Sequence, residues 1–248
     1  MRTGNGLRVM APAAVAACAI ALALLGILNL AYGDFLLQWQ PAPKHAAWRT
    51  PVAYLSGLLL LGSGIGLLIP NHRQVAALVA SVWIGLWVVL LHLPATIAAR
   101  GNVAVLLGLA ECGAMALGIC TLALKGSSQR SSRIVSSLFG VCLVVFGLSH
   151  FVYADFTATM VPAWLPERLA IAYLTGAIHA LAGACLVIGL FTRLAVTVEA
   201  LMMSSFVVLL HIPHVIADPH NRLELTMLGV ALLLTSAAWL IATQPRQP

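Results

Sequence analysis

The sequence predicts an all-α integral membrane protein whose eight transmembrane helices form two parallel four-helix repeats. Three observations lead to this prediction: the composition, the grouping of apolar residues and an internal sequence match. Of the 248 residues, 61% are hydrophobic and only 8% are charged, whereas about 25% of the residues in a soluble domain are charged. The mean hydropathy of +1.01 agrees with this. A soluble enzyme, a disordered chain and a nucleic-acid-binding module are therefore excluded.

Eight apolar stretches follow one another along the chain, and each has about the 20 residues that a helix needs to cross a bilayer. Span one follows Arg2 and Arg8 and could pass for a signal peptide, but the internal repeat described below predicts that it is retained. The predicted spans lie at about Val9–Tyr32, Pro51–Ile69, Val75–Ala98, Val103–Leu124, Ile134–Tyr153, Leu169–Leu190, Leu194–Ala217 and Leu223–Ala242.

The distribution of basic residues predicts the orientation of the chain. With eight spans, both termini lie on one side of the membrane, together with the loops after spans two, four and six. That side carries eight basic residues and the opposite side five, so the positive-inside rule places both termini in the cytoplasm. We expect a multi-pass protein of a bacterial-type cytoplasmic (inner) membrane. The eight residues are Arg2, Arg8, Arg73, Lys125, Arg130, Arg133, Arg193 and Arg246.

The most specific feature of the sequence is its internal match. Val88–Ala98 matches Val207–Ala217 at an offset of 119 residues, and Gly26–Phe35 matches Gly147–Phe156 at an offset of 121. Such a match predicts two copies of one structural unit. Because each copy has an even number of spans, both copies have the same orientation in the membrane.

We therefore predict a scaffold-like first repeat at 1–124, a basic cytoplasmic linker at 125–133 and a second repeat at 134–248. The copies differ in their polar residues. At five matched positions the second copy has an ionisable side chain where the first copy has none, so we expect the chemistry to lie in the second copy. The first copy has Asn29, Leu60, Ala95, Gly101 and Val105, and the second has His150, His179, His214, His220 and Glu224.

Four histidines of the second copy are predicted to lie in the outer half of the bilayer and to line one outward-facing pocket. They are His150, His179, His211 and His214. An ionisable residue within a membrane is a functional hypothesis, because burying it without a partner is costly. His211 and His214 are three residues apart and share a helix face, and Pro213 frees a backbone carbonyl beside them. The structural alternative is that these imidazoles only bond backbone carbonyls.

A metal site is an alternative use of the same region, because neutral imidazole binds copper, iron and zinc. Its candidate ligands are His211, His214, His220 and Glu224. The last two also have a structural explanation. Asp218 and Pro219 resemble a helix start, and Glu224 suits the positive end of the helix dipole.

Two glutamates lie within predicted spans and away from the outer histidines. Glu111 is a candidate for a proton relay or a quinone site, with His150 and His179 as the other candidate quinone-binding residues. Glu199 is expected to pair with Arg193 near the cytoplasmic face. His92 is expected to bond a backbone carbonyl rather than a ligand.

Several segments of the second half carry a family resemblance. His150–Phe151, the loop Met160–Pro166 and the segment Tyr173–Gly176 resemble the DoxX-like family of small four-helix membrane proteins. The resemblance covers about residues 134–243 directly and 9–124 only through the internal match, so this chain resembles a tandem eight-span form. It implies a role in quinone-linked or other membrane oxidoreductase complexes. His214 and His220 are not part of the matching motif.

Two functional hypotheses of different classes follow. In the first, the protein is a quinone-linked or metal-binding subunit of a membrane oxidoreductase system. Its electrons then come from or go to a partner protein, or the substrate is itself membrane-soluble. In the second, the protein is non-catalytic and binds or transports a lipid or another hydrophobic solute, or assists assembly. Both hypotheses place the chain in a lipid bilayer, neither involves nucleic acid, and a homo-oligomer is compatible with both.

Overall fold

The computed structural model describes the backbone of residues 3–244 and the side chains of residues 10–244, and all regular secondary structure within that range is helical. Eight helices are long and apolar enough to cross a membrane, which confirms the predicted multi-pass, all-α fold. They are α1 (Thr3–Tyr32), α2 (Arg49–Leu68), α3 (Arg73–Ala98), α4 (Val103–Ala123), α5 (Gln129–Val152), α6 (Arg168–Ile188), α7 (Thr192–Ala217) and α8 (Arg222–Ala242).

The helix boundaries lie within a few residues of the predicted spans. The largest differences are at α1, which begins at Thr3 rather than Val9, and at α5, which begins at Gln129 rather than Ile134. Part of the predicted linker is therefore helical. The Ser128 side chain caps this helix by accepting a hydrogen bond from the Ser131 N–H. Arg2 and Arg246, which count toward the predicted orientation, lie outside the described residues. The cytoplasmic location of the termini stays a prediction.

Consecutive helices pack against one another within each half of the chain, and the halves meet through α1 with α8, α4 with α5, and α4 with α8. Glycines allow the first two helices of each half to approach closely. A Cβ atom added to Gly26 would lie 2.8 Å from the Gly57 carbonyl oxygen, and one added to Gly147 would lie 2.7 Å from the Gly176 carbonyl oxygen.

A π-helical turn interrupts the third helix of each half. The turns span Val88–His92 in α3 and Val207–His211 in α7, and they have the same sequence. Each lies just before a proline, which cannot donate a helix hydrogen bond. The next N–H after each turn bonds the carbonyl five residues back. Such turns are frequent at functional sites, and His211 lines the cavity described below.

The loop between α1 and α2 fills the interior of the first half. Gln40 is buried, and its side-chain oxygen accepts hydrogen bonds from the Asn29 side chain (3.1 Å) and the Leu36 N–H (2.9 Å). Its amide nitrogen donates to the Ser56 hydroxyl at 2.8 Å. The neighbouring Trp39 carbonyl accepts a hydrogen bond from His92 at 3.0 Å, which agrees with the structural role expected of that histidine.

Candidate functional site

A cavity of about 540 Å³ lies in the second half of the protein. Its walls come from α5, α6, α7 and α8, and the short helix Ala154–Met160 with the loop after it lines the end that faces away from the termini. The first half contributes α4 and Trp39 to one side. Ligand sites typically have this size and a largely apolar wall with a few polar groups. The apolar wall includes Met160, Met202, Met203, Met227, Phe146, Phe156 and Phe206.

Two of the predicted histidines, His150 and His179, lie side by side in this cavity. Their ring centroids are 4.9 Å apart, with the rings in an edge-to-face arrangement. Gly176 of α6 allows the His150 side chain to pack against this helix, because a Cβ atom added at Gly176 would lie 2.7 Å from the His150 Cβ. His150 and His179 therefore come together as the sequence predicts.

The ring orientation of His150 follows from its neighbours. Its Nδ1 atom lies 3.0 Å from the Thr175 hydroxyl oxygen, and that hydroxyl donates its own hydrogen to backbone carbonyls of Ile171 and Ala172. The hydroxyl oxygen therefore accepts from Nδ1–H. In the neutral ring, Nε2 is then an acceptor, and no hydrogen bond to it is formed by the part of the chain whose side chains the structure describes.

A buried glutamate extends the pair of histidines into the protein. The Nδ1 atom of His179 lies 2.7 Å from Oε1 of Glu199, and both residues are buried. A contact of this length requires a proton between the two atoms. Glu199 was expected to pair with Arg193, and that expectation is wrong: the carboxylate points into the bundle, where His179 is its partner.

His211 and Thr235 add unpaired polar atoms to the cavity wall. His211 is 9% exposed, and its Nδ1 atom has no hydrogen-bond partner within the described range. The hydroxyl of Thr235, on α8, is also buried without a partner. Buried polar groups are normally hydrogen-bonded, so two such groups without a partner in the wall of one cavity require an explanation. Both residues line the cavity, so a ligand bound there would lie next to them.

Glu111 reaches the cavity from the first half. Its Oε2 atom accepts a hydrogen bond from the indole N–H of Trp39 at 2.7 Å, and both residues line the cavity. Glu111 is thus near the histidines rather than away from them. The sequence did not indicate Trp39, because its partner is 72 positions away along the chain.

The remaining predicted site residues lie apart from the cavity. The side chain of His214 is 47% exposed, and its Nδ1 atom is 3.3 Å from the Glu224 carboxylate. His220 is exposed. Within the part of the chain that the structure describes, no group of three or more His, Cys, Asp or Glu side chains is arranged to hold a metal ion. The metal set of His211, His214, His220 and Glu224 is therefore divided between the cavity and the protein surface.

One signal in the sequence relates His179 to Glu199. The offset of 119 pairs these two positions with Leu60 and Ala80, so both are apolar in the first half and ionisable in the second. Residues that contact each other can change together in this way. Thr235 and Trp39 have no such signal.

Comparisons with known proteins agree with the resemblance seen in the sequence. No curated protein and no solved structure matches the chain significantly. The DoxX family model matches residues 134–212. That range contains His150, His179, Glu199 and His211, and it ends before His214. Over this stretch the chain is similar to the DoxX family.

Proposed function

We propose that the cavity binds a quinone and that the protein is a quinone-linked subunit of a membrane oxidoreductase system. The observation that carries the proposal is the unpaired Nδ1 atom of His211 and the unpaired hydroxyl of Thr235 in a wall that is otherwise largely apolar. A quinone has polar carbonyl oxygens on an apolar ring and a hydrocarbon tail, so this wall suits it. The DoxX match favours a redox system over other membrane functions.

The histidine pair adds a reason to favour a redox ligand over an inert one. A bound quinone would supply reversible transfer of two electrons and two protons. His150 offers an acceptor nitrogen, and His179 shares a proton with Glu199. These groups can hold a proton close to the ligand and pass it on. The electrons come from a partner protein or from a membrane-soluble substrate.

Binding of decylubiquinone to the detergent-purified protein tests the proposal. Trp39 lines the cavity, so quenching of its fluorescence reports binding, and a Trp39→Phe variant identifies its share of the signal. We expect saturable quenching in the wild type and about tenfold weaker binding in a His211→Leu variant, which loses a hydrogen bond to the ligand.

The matched control is His214→Leu, which removes a histidine three positions away that does not line the cavity. It is expected to bind as the wild type does. Equal affinities of the His211→Leu and His214→Leu variants, or no saturable binding by the wild type, would contradict the proposal.

A non-redox hydrophobic ligand is the second candidate, and the largely apolar wall of the cavity favours it. A compound with the same alkyl chain but no quinone ring distinguishes the two. If it competes with decylubiquinone at equal concentration, the site binds the chain rather than the ring. The protein is then a lipid or hydrophobic-solute binder.

A further inference from the structure

A second cavity lies at the face of the bundle that holds the termini. It has a volume of about 960 Å³ and lies between the start of α5, the segment joining α6 to α7, and the end of α8. Three arginines line it: Arg130, Arg133 and Arg193. The cavity is separate from the histidine site and plays no part in the proposed quinone function.

The positive charge of this cavity is not compensated by the residues that the structure describes. None of the described residues that line it is acidic, and none of the three arginines forms a salt bridge with the side chains of residues 10–244. The Nε atom of Arg193 is buried and has no hydrogen-bond partner there. Burying a charged donor without an acceptor is unfavourable, so the cavity is suited to an anion that supplies acceptor oxygens.

Apolar side chains at the edge of the cavity indicate what carries the anion. Phe191 and Leu194 line it and are 76% and 65% exposed. Phe191 has a φ of +47° at the start of α7, an unfavourable conformation for this residue. A phosphate group with acyl chains attached would contact both the arginines and this apolar edge.

The first half of the chain lacks this arrangement. Gln74 is the residue that the offset of 119 pairs with Arg193, and its amide donates to the Lys125 carbonyl at 3.1 Å. The neighbouring Arg73 donates from Nε to the Leu67 carbonyl at 2.9 Å. The Nε donor of Arg193 has no partner in the second half, whereas the corresponding donors of Arg73 and Gln74 in the first half bond backbone carbonyls.

We propose that Arg130, Arg133 and Arg193 bind the phosphate group of an anionic phospholipid whose acyl chains lie against Phe191 and Leu194. Arginine binds phosphate through two parallel hydrogen bonds. Basic pockets between transmembrane helices are known to bind anionic lipid headgroups.

Lipid titration of the full-length protein in detergent tests this site. Phosphatidylglycerol and phosphatidylcholine with identical acyl chains are titrated separately, and bound lipid is counted by native mass spectrometry. We expect phosphatidylglycerol to bind saturably and with higher affinity than phosphatidylcholine. Each of the variants Arg133→Gln and Arg193→Gln is expected to lower that affinity about fivefold, and the double variant about 25-fold.

An Arg73→Gln variant is the control, because it removes an arginine from the same face but outside the cavity. It is expected to keep wild-type lipid binding, and Arg193→Lys, which keeps the charge, is expected to lose less than Arg193→Gln. Inorganic phosphate in the titration distinguishes the source of the anion. Displacement of the lipid by millimolar phosphate would overturn the lipid assignment, as would equal binding of the two lipids or equal binding by the wild type and the double variant.

Discussion

The two halves of the protein have similar helices but different interiors. In the first half, Gln40 from the loop between α1 and α2 is buried and bonds Asn29 and Ser56. In the second half, the sequence match pairs those two positions with His150 and Thr175, and a cavity lies beside them. The corresponding loop lines the end of that cavity instead of filling it. The cavity and the histidines His150 and His179 in its wall therefore lie where the two halves differ.

The first half also completes the site in the second. Trp39 lies next to Gln40 in the filling loop, yet its indole bonds Glu111 in the cavity wall. The loop that fills the interior of the first half thus also forms part of the cavity wall in the second half. A second half expressed alone would lack this part of the wall, so the cavity depends on both halves of the chain.

The largest expected effect tests what the halves share, the close contact of their first two helices. Gly147→Leu puts a large side chain where a Cβ alone would lie 2.7 Å from the Gly176 carbonyl oxygen. We expect it to lower the free energy of unfolding by about 3 kcal/mol. Thermal unfolding in detergent, followed by circular dichroism, measures the change.

Gly26→Leu is the matching change in the first half and is expected to be equally damaging, since its Cβ would lie 2.8 Å from the Gly57 carbonyl oxygen. The control is Gly62→Leu, because a Cβ added there meets no atom within 4 Å. If Gly147→Leu unfolds at the same temperature as Gly62→Leu, the close contact does not hold these helices together.

The next effect tests what the halves do not share, the pair His179 and Glu199. Replacing Glu199 by Ala leaves a buried imidazole without its partner, and we expect a loss of about 2 kcal/mol. The double change His179→Leu with Glu199→Ala copies the first half, which has Leu60 and Ala80 at these positions. It is expected to restore most of the stability, while quinone binding is not restored.

Urea or thermal unfolding of the wild type, the single variants His179→Leu and Glu199→Ala, and the double variant gives the coupling energy directly. A coupling energy near zero would show that the contact between His179 and Glu199 contributes nothing specific. A double variant that still binds decylubiquinone as the wild type does would separate this pair from the proposed function.

The sequence predicted the fold well because a bilayer restricts the choice. Backbone N–H and C=O groups surrounded by hydrocarbon must bond one another, so an apolar stretch of about 20 residues forms a helix. The ends of α3, α4, α7 and α8 lie within two residues of prediction for this reason. His150 and His179 were identified because the matched positions in the first half are not ionisable.

What the sequence did not predict depends on contacts between distant helices. The spacing in the sequence predicts that His211 and His214 share one helix face. It does not predict how far along the helix that face remains buried. His214 lies where α7 is exposed and contacts Glu224 instead. The partner of Glu199 was missed because Arg193 is close in sequence, whereas His179 is 20 positions away on another helix.

A smaller effect tests the contribution of the filling loop to the cavity. Trp39→Phe removes the indole N–H that bonds Glu111, and we expect a loss of about 1 kcal/mol in the free energy of unfolding. Trp87→Phe is the matched control, because that indole N–H is buried without a partner and its removal costs little. Thermal unfolding of both variants measures the difference. Equal losses would mean that the bond to Glu111 is not specific.

The smallest effect concerns pH and a pair of matched aspartates. Partial burial acts to raise the pKa of Asp34, but a hydrogen bond from Arg49, a bond from the Phe35 N–H and the charges of Arg49 and Arg222 outweigh it and lower the pKa below the ordinary 3.8. Asp34 lies 2.7 Å from the Arg49 guanidinium. The matched Asp155 of the second half is exposed and forms no salt bridge within the described range.

A lowered pKa in the folded state means that ionised Asp34 stabilises the fold above the unfolded pKa and stops doing so as pH falls through the folded pKa. Between about pH 5 and pH 2, the unfolding temperature of the wild type should therefore drop about 2 °C more than that of Asp34→Asn, as expected for one partly exposed ion pair. Asp155→Asn should follow the wild-type curve. If the two aspartate variants lose the same pH dependence, the halves do not differ in this contact, and Arg49 and Arg222 do not favour the ionised carboxylate.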